Sequence, residues 1–164
     1  MVEQIPLLTQ LDLRVDPGGP AATAVGKALG GDLPTEPCTA VRIGDLDVLW
    51  LGPDEWLLLA GPGRQRELED LLRAAIGDEH GAVVDVSAQR DALSLSGPAA
   101  REVLARGCAI DLDPRSAPPG TCVQTLLARC RVTIVVRDAD LLLLVGASFA
   151  AYLAAWLADA SVER

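Results

Sequence analysis

A chain of 164 residues has room for one domain with a real core, and a composition of 50% hydrophobic but only 3% aromatic residues makes that core aliphatic, built from Leu, Val and Ala. With 14 basic against 23 acidic side chains the formal charge is −9, which repels nucleic-acid phosphates and argues against a DNA or RNA partner. No window reaches the roughly 18 uninterrupted apolar residues that a bilayer crossing needs, and Met1 to Leu13 lacks the basic stretch of a secretory signal, so no membrane is expected and the cytoplasm is the expected location.

The chain begins with a run of breakers: Pro6, Pro17, Gly18, Gly19, Pro20, Gly30, Gly31, Pro34 and Pro37. Their density predicts a loose Pro/Gly-rich leader over 1–38, packed on or beside the domain, with one short strand near Leu11 to Val15. The domain itself is expected over 39–164. Thr39 to Ile43 and Leu46 to Leu51 read as strands joined at Gly44-Asp45, and Gly52-Pro53-Asp54 turns the chain into a third strand, Trp56 to Ala60. After Gly61-Pro62-Gly63 the spacing of Leu68, Leu71, Leu72 and Ile76 predicts a helix with one buried face.

Strands are expected next at Ala82 to Val86 and Asp91 to Ser96, followed by a short helix from Pro98 to Ala105, with proline at a helix start where its missing N–H costs nothing. Cys108 to Gly120 is a proline-rich loop. Three more strands follow, near Cys122 to Ala128, Val132 to Val136 and Leu141 to Val145. A last helix opens at Ser148 with an apolar face of Phe149, Tyr152, Leu153, Trp156 and Leu157.

Sliding the chain so that Leu49–Leu51 lies on Ile134–Val136 also brings Leu57–Leu59 onto Leu142–Leu144, Gly61 onto Gly146 and Leu68 onto Leu153. An internal repeat is therefore expected, about 39–80 against 121–160, with Leu93 to Leu104 as a partial third copy. The glycine at each strand-to-helix swing is read as a backbone position that a side chain would forbid. Repeated strand-strand-helix units predict an α+β fold: antiparallel sheets with helices on one face, in duplicated ferredoxin-like units.

Chemistry is sparse. Cys38, Cys108, Cys122 and Cys130 form no CxxC pair and His80 is the only histidine, so metal-ligand spacing is missing. Buried free thiols are the ordinary reading of the cysteines, with Cys122 and Cys130 able to face each other across a hairpin. Ser87, Ser94 and Ser96 have no histidine besides His80, and Gly61-Pro62-Gly63-Arg64 lacks the lysine and hydroxyl of a phosphate loop. Asp85, at the end of Val83-Val84-Asp85, is a candidate for holding an amidine-like ring, and Arg90, Arg101 and Arg106 for an anionic tail. The competing readings are a carboxylate capping backbone amides and solvated surface arginines. Trp50 and Trp56 flank a turn too short to bury both indoles, which makes them core residues or interface anchors.

The stretch Leu49-Trp50-Leu51-Gly52-Pro53-Asp54-Glu55-Trp56-Leu57-Leu58-Leu59 resembles the gamma subunits of heterotetrameric sarcosine oxidases. Further blocks agree in order: Val83 to Ser87, Leu95 to Pro98, Gly107 to Leu112, Gln124 to Ala128, and Ser148 through Leu157, so that the resemblance spans about 28–160. It implies a fold similar to the folate-binding domain of the glycine-cleavage aminomethyltransferase. It also implies a non-catalytic structural subunit of a complex that oxidises sarcosine to glycine with tetrahydrofolate as co-substrate. FAD, FMN, NAD and zinc would then reside on other subunits, with none on this chain. The expected partners are the larger subunits, alpha foremost, with self-association when the chain is isolated. Ala117 and Ala147 stand where the family carries an aromatic and an arginine, which marks them, with Trp50 and Trp56, as candidate partner-facing positions. The alternative is a stand-alone folate-binding protein or aminomethyltransferase-like enzyme that uses Asp85 and Arg90.

Overall fold

The computed structural model describes residues 1–162. The chain divides into two compact units, one of Leu7–Ser87 and one that joins Met1–Pro6 to the chain from Ala88 onward. This differs from the single domain expected after a leader at 1–38. The strand β1 (Val2–Ile5) belongs to the second unit and β2 (Thr9–Val15) opens the first.

In the first unit β2 leads to α1 (Pro20–Leu29), then to β3 (Ala40–Ile43), β4 (Leu46–Gly52), β5 (Glu55–Ala60), α2 (Gln65–Ile76) and β6 (Gly81–Asp85). The five strands form one antiparallel sheet in the order β3-β4-β5-β2-β6. The expected loose leader is thus a strand that pairs with β5 and β6, followed by a ten-residue helix. The breakers bound α1 instead of preventing it: Pro20 takes a first-turn position after Gly19, and Gly30, at φ 88°, ends the helix with its N–H donating to the Gly26 carbonyl. Ala21 and Val25 of α1, with Leu68, Leu72 and Ile76 of α2, bury against Leu11, Leu13, Val48, Trp56 and Leu58 of the sheet. Leu71, expected on the buried face of α2, is 38% exposed.

The second unit runs β7 (Arg90–Ser96), α3 (Ala100–Ala105), β8 (Cys122–Leu127), β9 (Cys130–Val136), β10 (Asp140–Gly146), a 3-10 turn (Ala147–Phe149) and α4 (Ala150–Val162). Its antiparallel sheet has the order β1-β7-β10-β9-β8. The core lies between this sheet and α3 and α4: Leu93, Leu95, Ile134, Val136, Leu141 and Leu143 meet Val103, Leu104, Leu153 and Leu157. In α4 the buried stripe is Ala150, Leu153, Leu157 and Ala160, whereas Phe149 and Tyr152, expected on it, are 53% and 50% exposed. The Tyr152 hydroxyl donates to the Ala128 carbonyl at 3.1 Å, which holds the ring at the surface.

Both units therefore share one plan, strand, helix, three strands, helix, strand, and the same sheet order. The last strand of the second copy is supplied from the other end of the chain: β1 lies beside β7 as β6 lies beside β2. Antiparallel sheets with helices on one face are the expected α+β class, but the repeat is longer than the strand-strand-helix unit read from the sequence. The stretch Leu93 to Leu104 is the counterpart of β2 and α1, not a third copy. Of the glycines in the repeat, Gly97 does sit at φ 107°, but Gly61 and Gly146 have no positive φ and a Cβ on either meets nothing within 4 Å. Among the described residues no helix is long and apolar enough to cross a membrane.

Candidate functional site

Asp85 closes β6, exposed to solvent, and its Oδ1 accepts from the Ser87 backbone N–H at 3.0 Å and from the Ser87 hydroxyl at 2.6 Å. The Ser87 Oγ in turn accepts from the Gln10 N–H at 2.9 Å, so this carboxylate helps fasten the end of β6 to the start of β2. Arg90 opens β7 and is half-buried. Asp85 and Arg90 belong to different units. Arg101 does not reach out as an anion receptor: its guanidinium donates to the Leu112 carbonyl and, at 2.9 Å, to the Ala117 carbonyl, tying down the long loop after α3. Arg106 donates to the Ala160 carbonyl at 2.9 Å.

The four positions expected to face a partner separate into two pairs. Trp56 is fully buried in the core of the first unit, with its indole N–H donating to the Pro34 carbonyl at 2.7 Å. Ala117 is 2% exposed and packs in the core of the second unit. Neither offers side-chain surface, which corrects their assignment as interface positions. Trp50, the cross-strand partner of Trp56, is half-buried, and Ala147 is exposed just after β10, its N–H donating to the Gln89 carbonyl at 3.0 Å.

Ser94 has a carboxylate partner and no histidine: its hydroxyl donates to Asp140, which also pairs with Arg137 at 2.5 Å. Burial pushes the Asp140 carboxyl up, and the hydrogen bonds from Arg137 and Ser94 outweigh it, leaving the group below the usual carboxylate range. His80 is exposed in the turn after α2. None of the four cysteines is in a disulfide, and Cys122 pairs across the sheet with Val135 while Cys130 pairs with Leu127, so the two thiols do not face each other. Burial raises the Cys130 thiol above its ordinary value, away from nucleophilic use. Among the described residues no group of three or more His, Cys, Asp or Glu is placed to hold a metal ion.

A cavity of about 760 Å³ lies wholly within the second unit, at the end of the sheet where β8, β9 and β10 meet the start of β7. Arg90 and Arg131 line it together with Gln124, Thr133 and Leu126, and Gly146 lies among them. Of these, Arg90 stood out in the sequence as an anion candidate and Gly146 only as a glycine of the repeat. Arg131, Leu126 and Gly146 come from separate strands and become neighbours through sheet register, which no linear motif records. The residues of β8, Cys122-Val123-Gln124-Thr125-Leu126-Leu127, do not alternate polar with apolar, so nothing in that strand's sequence marked Leu126 as 56% exposed beside the fully buried Leu127.

Comparison with known proteins follows the same architecture. Residues 14–163 match the model of the "Sarcosine oxidase, gamma subunit family". The sarcosine oxidase subunit gamma of Corynebacterium sp. strain P-1 is 39% identical over 99% of this chain and 80% of its own length. A chain in the solved structure of the heterotetrameric sarcosine oxidase from Corynebacterium sp. U-96, in complex with pyrrole 2-carboxylate, is 37% identical with a TM-score of 0.90, covering 97% of this chain and 82% of that one. The glycine cleavage system aminomethyltransferase T from Bartonella henselae, 18% identical, shares the fold with a TM-score of 0.71 over 95% of this chain and 44% of its own.

Proposed function

Because the chain belongs to the sarcosine oxidase gamma subunit family, we propose that it is a structural subunit of a heterotetrameric, cytoplasmic oxidase that converts sarcosine to glycine in a tetrahydrofolate-linked reaction. The observation that carries this reading is the likeness, along nearly the whole chain, to a subunit of a solved heterotetrameric sarcosine oxidase. In this reading the chain docks on the larger subunits, the alpha subunit foremost. FAD, FMN, NAD and zinc are carried elsewhere in the complex, and the isolated chain self-associates over the docking surface. The site chemistry supports a supporting role: the polar groups most suggestive in the sequence, Asp85 and Arg101, are engaged in fastening strands and loops of their own unit.

Co-expression with the alpha, beta and delta subunits of its own source tests the proposal. The chain is expected to co-elute with them in size-exclusion chromatography. Omitting it is expected to lower the flavin content and the sarcosine-dependent peroxide production of the remaining subunits. A chain that elutes alone while those subunits keep full activity without it overturns the reading.

A further inference from the structure

Sheet register in the second unit sets two basic side chains on either side of a glycine. Arg90 on β7 is the cross-strand partner of Gly146 on β10. Val145 pairs with Val132, so the next positions along those strands bring Gly146 beside Arg131 of β9, whose partner on β8 is Leu126. Opposed residues of an antiparallel sheet project from the same face, so Arg90, Arg131 and Leu126 rise in one row with a gap at Gly146. The gap is open space, since a Cβ at Gly146 would meet no heavy atom within 4 Å. The adjoining row carries Thr133 opposite Gln124, which adds a hydroxyl and an amide.

Strands about 4.8 Å apart set the two arginine backbones roughly 10 Å from each other, a span that two long guanidinium side chains close onto one carboxylate. The cavity is far larger than an inorganic ion and falls within the roughly 300–1,000 Å³ of small-molecule sites. Leu126, 56% exposed on the same face as Arg131, gives it an apolar part. In a chain with 23 acidic and 14 basic residues, its lining contains two arginines and no Asp or Glu, the reverse of the overall charge. We infer that this cavity binds a small organic carboxylate, with the acid group held between Arg90 and Arg131 over Gly146 and the apolar body against Leu126. The inference stands on the unit's own geometry and does not depend on assembly with other subunits.

Titration of the full chain with sodium benzoate, benzamide and inorganic phosphate, followed by two-dimensional amide NMR, tests it. Benzoate is expected to shift the Gly146, Arg131 and Thr133 amides saturably. Benzamide, which keeps the ring without the charge, and phosphate, which keeps charge without the ring, are each expected to bind at least about tenfold more weakly. Gly146 has φ −51° and ψ 134°, a conformation open to any residue, so Gly146→Val fills the gap at an unchanged melting temperature and abolishes the benzoate shifts. Arg131→Ala, at an exposed position, weakens benzoate binding about tenfold or more. Absence of saturable benzoate binding, equal binding of benzamide or phosphate, or full binding by either variant overturns the inference.

Discussion

Trp56 shows how a single side chain is committed to folding by two independent contacts. Its ring fills the space between the first unit's sheet and helices, and its indole N–H satisfies the Pro34 carbonyl in the segment between α1 and β3. Trp56→Ala removes both, so it is expected to cost about 3–5 kcal/mol of stability in urea denaturation. Trp56→Phe keeps most of the packing and loses the hydrogen bond, for about 1–2 kcal/mol. If the alanine variant instead unfolds at the wild-type urea concentration, the indole does not hold the core together. The sequence narrowed the choice to one indole of a pair left partly open, but it could not say which. That depends on the helices that cover Trp56 and on a carbonyl twenty-odd residues away. At Gly146 the sequence misled for a related reason. A glycine at a strand end reads as a backbone requirement, and only the three-dimensional surroundings reveal that it is unoccupied volume.

Among the elements, the hairpin of β9 and β10 is pinned to β7 by the Ser94–Asp140–Arg137 cluster, and its backbone closes through the Arg137 N–H donating to the Asp140 carbonyl at 2.9 Å. Burial alone would raise the Asp140 carboxyl, but the two hydrogen-bond donors hold the folded group below its unfolded value, near 3.9. A carboxyl with a depressed folded pKa contributes stability that is complete above the unfolded value and is lost as the pH falls through the folded one. Asp140→Asn is therefore expected to cost about 1–2 kcal/mol at pH 7, discounted for the partial exposure of Arg137, and progressively less as the pH falls below the unfolded value and through the lower folded one. Thermal melts of both proteins across that range measure it, and a difference that stays constant with pH would show that the charge is not what pins the hairpin. Strands and helices with strong apolar periodicity, such as β5, β10 and α2, were legible within a residue or two. The helix α1 was not, because Gly19-Pro20 and Gly30 look like loop composition until they are seen as the two ends of a helix. In α4 alanine carries half of the buried stripe, so the larger aromatics drew the apolar face about a quarter turn too far round.

For the whole molecule, the repeat is interleaved: the strand that completes the second copy comes from the start of the chain. Composition and period could not show this, since β1 is four residues long and its partner β7 lies some ninety positions away. The pairing sets Val2 through Ile5 against Leu95 through Ala92, Val2 packs on the second unit's core and α4 lies against β1. Removing 1–6 should thus strip an edge from a sheet that the deleted segment does not adjoin in sequence. Pairing across so many residues contributes little until the rest of the sheet exists, so β1 joins a preformed β7–β10–β9–β8 sheet, and its loss spares that assembly while baring the β7 edge. Hydrogen exchange on the truncated chain is expected to show protection of the β1-facing amides of β7 falling at least about tenfold, with β2, β4 and β5 keeping theirs. The bared edge should also raise the tendency to aggregate, as unpaired strand edges do. Uniform loss of protection across both sheets would mean that the two copies fold as one cooperative body, and unchanged protection in β7 would mean that β1 does not hold the edge.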